Sequence, residues 1–266
     1  MLILIFKRHL LRVTITHLIV IFESMKCKNC GNHVTDKYCA HCGQTAAIER
    51  LSLKELLLNF WDVFTHAEHG IFNAAKLLFI KPAYITKEYL SGKRKKYFSP
   101  IKYLIVVVTL SAIFILNYSR LGLPFEPAFP KDSKIDDIVE EDYFNHKNYK
   151  TQLFLSIPLA SLISWLVFRK SGFNYAENIV LNTYLLSQVI LVHTIAVMPS
   201  LIIASDTVDQ WLIAVYLLVS LVYVVWAYVS FFPGEKAGKF VKAILTVLIF
   251  SFLYNTISHY VHKLFS

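Results

Sequence analysis

The sequence predicts a mainly α-helical membrane protein that carries a small metal-binding domain near its N-terminal end. Of the 266 residues, 56% are hydrophobic and only 17% are charged, and the mean hydropathy is +0.50. This composition is too apolar for an ordinary soluble domain. The apolar residues form near-continuous runs, several of which approach the about 20 residues that a bilayer-spanning helix needs. All four cysteines lie in one short stretch ahead of these runs.

Five transmembrane helices are predicted from the apolar runs, so a lipid bilayer is the expected environment of this part of the chain. The spans lie at about 100–118, 152–169, 176–198, 210–232 and 240–258, in a helix bundle over residues 99–266. The second span is the shortest and contains Pro158, whereas Pro233 and Gly234 end the fourth. Tyr97 and Phe98 precede the first span, where aromatic side chains favour the lipid–water boundary.

Shorter amphipathic helices are predicted ahead of the spans, over residues 51–98. Ser52 and Glu55 have the spacing of a capping box, and apolar residues then recur at helical spacing as far as Phe64. This helix carries too many polar residues to cross a bilayer, so we expect it at the membrane interface or against the bundle. Two further short helices are expected over residues 71–80 and 84–90, ended by Pro82 and Gly92.

Residues 1–24 have an apolar pattern that basic residues interrupt, so neither half is long enough to span a bilayer. The segment has no small-residue cleavage site of the kind that ends a signal peptide. The favoured interpretation is that translation starts at Met25. The alternative is that residues 1–24 form an amphipathic anchor on the membrane surface.

The distribution of Lys and Arg predicts the orientation in the membrane. The basic cluster Lys93, Arg94, Lys95 and Lys96, the pair Arg169 and Lys170, and Lys236, Lys239 and Lys242 all fall on one side of a five-span chain. That side is predicted to be cytoplasmic, with the cysteines inside and the C-terminus outside. The net charge of +9 then reflects topology, so no nucleic-acid partner is expected.

The four cysteines form two Cys-x-x-Cys-Gly pairs, at Cys27 and Cys30 and at Cys39 and Cys42, which predict a zinc ribbon over residues 25–46. Two such turns facing each other offer four sulfurs to one metal ion, and a site with all four positions filled is structural. Zinc is the expected cofactor, with iron as the minor alternative. The alternative is that the cysteines form two redox-active or disulfide pairs, although a reducing cytosol favours metal binding.

The third span contains several polar side chains within about half of the helix circumference: Glu177, Asn178, Asn182, Tyr184, Gln188 and His193. One hypothesis is a polar path or small-ligand site lined by Asn182, Gln188 and His193, with Glu177 at its mouth. The alternative is that these side chains join helices through hydrogen bonds, as Asn and Gln commonly do in membranes.

No catalytic arrangement is visible, and an enzyme is not predicted. The sequence has no serine–histidine–acid arrangement, no phosphate-binding loop and no dinucleotide-binding glycine pattern. The segment His66-Ala67-Glu68-His69 departs from the spacing of both metalloprotease motifs, and a polar helix end explains it better. His259 and His262 lie one helical turn apart, and their expected role is a polar end to the fifth span.

Several local motifs carry a resemblance to a known family. They are Cys27-x-x-Cys30-Gly31, Cys39-x-x-Cys42-Gly43-Gln44, His69-Gly70, Lys81-Pro82, Tyr89-Leu90-Ser91-Gly92-Lys93-Arg94 with Tyr97, Pro100-x-x-Tyr103 and Asn174-Tyr175-Ala176-Glu177-Asn178. Together they resemble an uncharacterised family of bacterial inner-membrane proteins, found mostly in Bacteroidetes, that join a zinc ribbon to a multi-span domain of unknown function. Histidine would be expected in that family where Asn178 stands. The resemblance implies a multi-pass protein of the cytoplasmic membrane, and it implies no activity.

Two functions are therefore predicted as alternatives. In the leading hypothesis the cytoplasmic ribbon recruits or senses a cytosolic protein partner, and the bundle is its membrane platform. Lys26, Lys28, Lys37 and His41 would then face an acidic partner. In the rival hypothesis the chain is a transporter or permease, and the polar third span carries the substrate.

Overall fold

The computed structural model describes residues 26–46, 50–52, 70–120, 156–197 and 206–265. The predictions for residues 1–24, for the capped helix up to Phe64 and for the His66 to His69 segment lie outside these ranges. Two compact units are present. The ribbon unit contains described residues 26–46, 50 and 88–97, and the helical unit contains the other described residues.

The described residues are mainly helical outside residues 26–46, and no β-strand occurs among them. The α-helices are α1 (Ile71–Ile80), α2 (Pro82–Leu90), α3 (Pro100–Arg120), α4 (Ser156–Val167), α5 (Tyr175–Val192), α6 (Asp206–Phe231) and α7 (Lys236–Phe265). Helix α1 has the predicted bounds. Helix α2 begins two residues before the predicted start, because proline is well suited to the first turn of a helix. A π-helical turn, His193–Val197, follows α5.

Three helices in the described ranges are long and apolar enough to cross a membrane, which is fewer than the five predicted. They are Tyr175–Ile195, Ala214–Phe231 and Lys236–Tyr260. The first two predicted spans fall on α3, whose described side chains give an apolar stretch at Pro100–Ile113, and on the shorter helix α4. At about 1.5 Å per residue, the described part of α4 extends over about 18 Å, which is less than a hydrocarbon core of about 30 Å, whereas the 21 residues of α3 extend over about 31 Å.

Helix α5 is the central helix of the helical unit. In the apolar stretch of α5 that could span a membrane, 61% is buried inside the protein. The corresponding stretches of α6 and α7 are 22% and 11% buried. Helix α5 packs against α1, α3 and α6, whereas α6 packs chiefly against α7. Large apolar side chains on α6 and α7, such as Leu218 and Phe252, are exposed. Lipid can cover such faces, whereas the surroundings of α5 are mostly other helices.

Helix α5 begins at a capping box. The side chain of Asn174 accepts a hydrogen bond from the backbone N–H of Glu177 at 2.8 Å. The carboxylate of Glu177 accepts one from the backbone N–H of Asn174 at 2.7 Å. These two bonds satisfy N–H groups that a helix start otherwise leaves without partners. They fix where the central helix begins.

Candidate metal centre and polar residues of the central helix

The two cysteine pairs form turns with the same hydrogen-bond pattern. In the first turn, the N–H of Gly31 donates to the carbonyl of Cys27 at 2.8 Å, and in the second the N–H of Gly43 donates to Cys39 at 2.8 Å. Gly31 and Gly43 have φ values of 79° and 69°, in the left-handed region that glycine adopts without strain. Isolated β-bridges, Lys26 with His33 and Tyr38 with Thr45, close the two turns. The ribbon is thus two equivalent knuckles without continuous strands.

The knuckles bring all four sulfur atoms together. These atoms lie within 4.8 Å of one another, and the cysteines are free thiols. Across the two knuckles, the sulfurs of Cys27 and Cys42 are 3.5 Å apart and those of Cys30 and Cys39 are 3.6 Å apart. Metal–sulfur bonds of about 2.3 Å place the sulfurs of a tetrahedral zinc site about 3.8 Å apart. The four cysteines could therefore hold one metal ion, as the sequence predicted.

The surroundings of the thiols favour the thiolate at two positions. Burial alone would raise the pKa of Cys27, but hydrogen bonds from the backbone of Cys30 and Asn29 outweigh it and lower the pKa to about 7. The backbone N–H of Cys42 is the main cause of the lowered pKa of Cys39. Backbone N–H groups thus point at the sulfurs and stabilise negative charge there. A metal ion needs such thiolates as ligands.

The ribbon unit also contains the predicted basic cluster, residues 93–96. The side-chain N–H of Gln44, which follows the second knuckle, donates to the carbonyl of Gly92 at 2.7 Å. The same side chain accepts a hydrogen bond from the N–H of Lys95 at 3.3 Å, and Asn29 in the first knuckle accepts one from the N–H of Lys96 at 2.9 Å. Each knuckle therefore holds the backbone of the basic cluster through one amide side chain.

These amide contacts were not found by sequence reasoning. They join residues that are 48 to 67 positions apart in the chain. The sequence does place an amide side chain at each knuckle. A glutamine directly after Cys42-Gly43 and an asparagine inside Cys27-x-x-Cys30 stand where their side chains can reach past the knuckle.

The polar side chains of α5 take part in hydrogen bonds between helices. Asn182 is buried, and its amide oxygen accepts a hydrogen bond from the hydroxyl of Tyr228 on α6 at 2.6 Å. Its amide nitrogen donates to Ser164 on α4 at 3.0 Å and to the carbonyl of Asn178 at 2.9 Å. The Asn182 side chain therefore joins α4, α5 and α6, which is the arrangement that the packing alternative expects.

The other predicted members of this polar group lie along the same helix. Gln188 accepts a hydrogen bond from Tyr103 on α3 at 2.6 Å. Asn178 accepts one from Ser164 at 2.9 Å. Glu177 belongs to the capping box at the helix start, and the half-buried ring of His193 packs edge-on against Tyr216 at 5.0 Å. Tyr184 donates to the backbone carbonyl of Phe98. The six side chains are thus spread from the first turn of α5 to the π-helical turn.

Comparison with known proteins gives one match. A family model described as Protein of unknown function (DUF3667) matches residues 68–112. The matched segment contains α1, α2 and the first part of α3, and it excludes the cysteines and α5. The chain is thus similar to that family over this segment. No curated protein and no solved structure matches the chain.

Proposed function

We propose that this chain is a multi-pass membrane protein whose zinc ribbon presents a basic surface to an acidic segment of a cytosolic protein partner. The observation that carries the proposal is the four-sulfur cluster, which stands in a unit that also contains the basic cluster. In this proposal the metal is one structural zinc ion. Its function is to hold the two knuckles together so that their amide side chains can order residues 93–96.

Zinc suits this site because the donor set is four thiolates and the sulfur separations are close to those of a tetrahedral ion. The buried apolar side chains of the knuckles are few: Cys27, Val34 and Cys39. So small a core supplies little folding free energy, so that metal binding would supply most of it. A structural ion also leaves no open coordination position for catalysis.

The charge of the ribbon unit supports an acidic partner. Its described residues include eight basic side chains and two carboxylates: Lys26, Lys28, Lys37, Arg50, Lys93, Arg94, Lys95 and Lys96 against Asp36 and Glu88. Lys26, Lys28, Lys37 and His41 are exposed on the knuckles. A concentration of one sign of charge attracts and orients a partner of the opposite sign.

We further propose that α3 and α4 complete a five-span bundle in the bacterial cytoplasmic membrane, with the ribbon on the cytoplasmic side. Large apolar side chains on both helices point outward, among them Ile113 on α3 and Leu162 and Leu166 on α4. Such faces suit lipid. The distribution of Lys and Arg supports the orientation.

Transport through a path along α5 is the less favoured function. Asn182 and Gln188 already bond to Tyr228, Ser164 and Tyr103, so their polar groups are directed at neighbouring helices. A path would need those groups to turn toward a substrate. If Asn182→Leu together with Gln188→Leu leaves function intact while knuckle cysteine variants lose it, transport along α5 is excluded.

The proposed recruitment is tested by capture with the full-length, affinity-tagged protein in its native membrane. Replacing Lys26, Lys28 and Lys37 by Glu reverses the knuckle charge without touching the cysteines. A matched control replaces Lys76, Lys102 and Lys263 by Glu, in the helical unit. We expect one cytosolic protein with an acidic segment to be captured by the wild type and the control and lost with the knuckle variant.

Two results would count against recruitment. One is capture that is unchanged by the knuckle variant or by deleting residues 25–44. The other is loss of binding to vesicles of phosphatidylglycerol in the knuckle variant with no protein captured by any form, which would make the membrane surface the target of the ribbon.

A further inference from the structure

The helical unit contains a pocket of about 460 Å³ that belongs neither to the ribbon unit nor to the polar side chains of α5. It lies where α4 ends and where Pro233 and Gly234 connect the end of α6 to the start of α7. The pocket is lined by Phe168, Lys170, Ser171, Pro233, Gly234, Glu235, Gly238, Lys239 and Lys242. We call it the lysine pocket.

Three lysines from two elements line this pocket. Lys170 lies in the 3-10 turn after α4, and Lys239 and Lys242 lie in the first two turns of α7. Glu235 is the one carboxylate among the lining residues, so the lysines outnumber it. Within the described ranges, none of the three lysines forms an ion pair with a carboxylate. The lining therefore carries excess positive charge that a bound anion would balance.

The neutral lining groups also favour an anion. The pocket lies beside the start of α7, a helix of 30 residues whose first N–H groups lack intrahelical partners and carry the positive end of the helix dipole. The hydroxyl of Ser171 is buried in the pocket wall and has no hydrogen-bond partner in the structure. Such a hydroxyl can donate to an oxygen of a ligand placed in the pocket.

Aromatic contacts pack one wall of the pocket. Phe168 stacks on Phe232, with ring centroids 3.9 Å apart and planes 7° from parallel. The ammonium group of Lys242 lies 5.9 Å from the centroid of the Phe168 ring. The aromatic ring thus holds one lysine at the pocket. A site formed in advance loses less conformational freedom when a ligand binds.

A fourth lysine, Lys87 on α2, also lies near the end of α6. Lys87 donates to the carbonyl of Ser230 at 2.7 Å. Its pKa is lowered, first by burial and then by the positive charge of Lys239. The hydrogen bond to Ser230 places a fourth ammonium group at the last turn of α6.

We infer that the lysine pocket binds a phosphate group, supplied either by the headgroup of an anionic lipid or by a free phosphate ion. The pocket lies directly beside the ends of two candidate membrane spans, α6 and α7. Basic pockets between spans at a membrane boundary are known to hold phosphate-bearing headgroups. Lys170, Lys239 and Lys242 pair with the phosphate oxygens, and the Ser171 hydroxyl donates to one of them.

The test uses the full-length protein purified in a neutral detergent and two probes, phosphatidylglycerol and inorganic phosphate. Native mass spectrometry gives the Kd of phosphatidylglycerol, with phosphatidylcholine as the neutral comparison. Thermal unfolding gives the stabilisation by inorganic phosphate, with chloride as the comparison. The pocket variant replaces Lys170, Lys239 and Lys242 by Gln. The matched control replaces Lys76, Lys102 and Lys236 by Gln and removes the same charge outside the lining.

A second variant leaves the charge unchanged. A Cβ added at Gly238 would meet no atom within 4 Å, so the backbone leaves room for a side chain there, and Gly238→Leu places one at the pocket. We expect the pocket variant to weaken binding by about tenfold or more, since each lysine near an anionic headgroup contributes roughly fivefold. Gly238→Leu should weaken binding similarly, and the control should change it less than about twofold.

The two probes identify the source of the phosphate. Loss of phosphatidylglycerol binding in both pocket variants, without stabilisation of the wild type by inorganic phosphate, assigns the site to a lipid headgroup. Stabilisation by inorganic phosphate that both pocket variants abolish, without preference for phosphatidylglycerol, assigns it to free phosphate. The inference is overturned if neither probe binds the wild type, if the pocket and control triples weaken binding equally, or if Gly238→Leu has no effect.

Discussion

The knuckles of the ribbon unit and the helical unit differ in how many large apolar side chains they bury. The knuckles bury Cys27, Val34 and Cys39 with little else, whereas the helical unit buries large side chains such as Tyr103 and Tyr184. In the ribbon unit, four sulfurs converge on one point. In the helical unit, hydrogen bonds between helices accompany the packing. The comparison teaches that four converging sulfurs, which could hold a metal ion, stand where the knuckles lack an apolar core.

The largest expected effect is the loss of the ribbon structure when one ligand is removed. With Cys39→Ser, three sulfurs remain and zinc affinity collapses, so the knuckles and residues 88–97 should lose their protection from hydrogen exchange. Helix α5 should keep its protection. His41→Ser, in the same knuckle but without a ligand role, is the control. Equal loss of protection in both units would contradict the contrast between them.

The second prediction concerns the helical unit. Asn182→Leu leaves the hydroxyl of Tyr228 without its acceptor and removes one donor to Ser164, which should lower the free energy of unfolding by about 1 kcal/mol. A double-mutant cycle with Tyr228→Phe measures the coupling in detergent unfolding. The two changes should be less than additive, and metal content should stay unchanged. Strict additivity would show that this hydrogen bond contributes nothing.

A smaller effect is expected where each knuckle holds the basic cluster. Gln44→Ala removes the bonds to Gly92 and Lys95, so residues 92–96 should exchange their amide hydrogens roughly fivefold faster, as a loss of about 1 kcal/mol implies. Thr45→Ala, at an exposed neighbouring side chain, is the control. Metal should be retained in both variants. Unchanged exchange at residues 92–96 would remove the link between the knuckles and the basic cluster.

The smallest effect belongs to the ion pair of Glu88 and Lys93. The hydrogen bond from Lys93 is the main cause of the lowered pKa of Glu88. A carboxyl with a lowered pKa stabilises the folded state above its unfolded pKa, and this contribution is lost as the pH falls through the folded pKa. Both side chains are partly exposed, so Glu88→Gln should cost less than about 0.5 kcal/mol at neutral pH.

The measurement is the pH dependence of hydrogen exchange in the ribbon unit of the metal-loaded protein. The difference between wild type and Glu88→Gln should shrink as the pH is lowered through the pKa of Glu88. A difference that grows on acidification would contradict the sign of this prediction.

Local chemistry explains what could be predicted from the sequence. Each knuckle depends on residues within five positions of each other, so Cys27 to Gly31 and Cys39 to Gly43 were enough to predict two turns with two sulfurs each. That the turns face each other was inferred from the ligand number of a tetrahedral metal site. The shared side of the polar residues on α5 could also be predicted, because it depends only on their spacing along one helix. The partner of Asn182 could not be predicted, because Tyr228 is 46 positions away. The capping box of Asn174 and Glu177 was readable from the spacing and was missed.

Three of the five predicted spans fall on helices in the described ranges that are long and apolar enough to cross a membrane. The run at 152–169 is apolar, but its helix stops at Val167, and the following 3-10 turn, Arg169–Ser171, breaks the run. The lysine pocket was also invisible in the sequence. Lys170 and Lys239 are far apart in the chain, and their nearness depends on how α4 and α7 pack. Sequence reasoning used both residues only to orient the chain in the membrane.

The central claim is that one zinc ion holds the two knuckles of this membrane protein together. Elemental analysis of the full-length protein, purified under reducing conditions without added metal, tests it most directly. The account predicts about one zinc ion per chain, retained in His41→Ser and absent from Cys39→Ser. A chain without bound metal, whose four cysteines are joined as two disulfides, would contradict it.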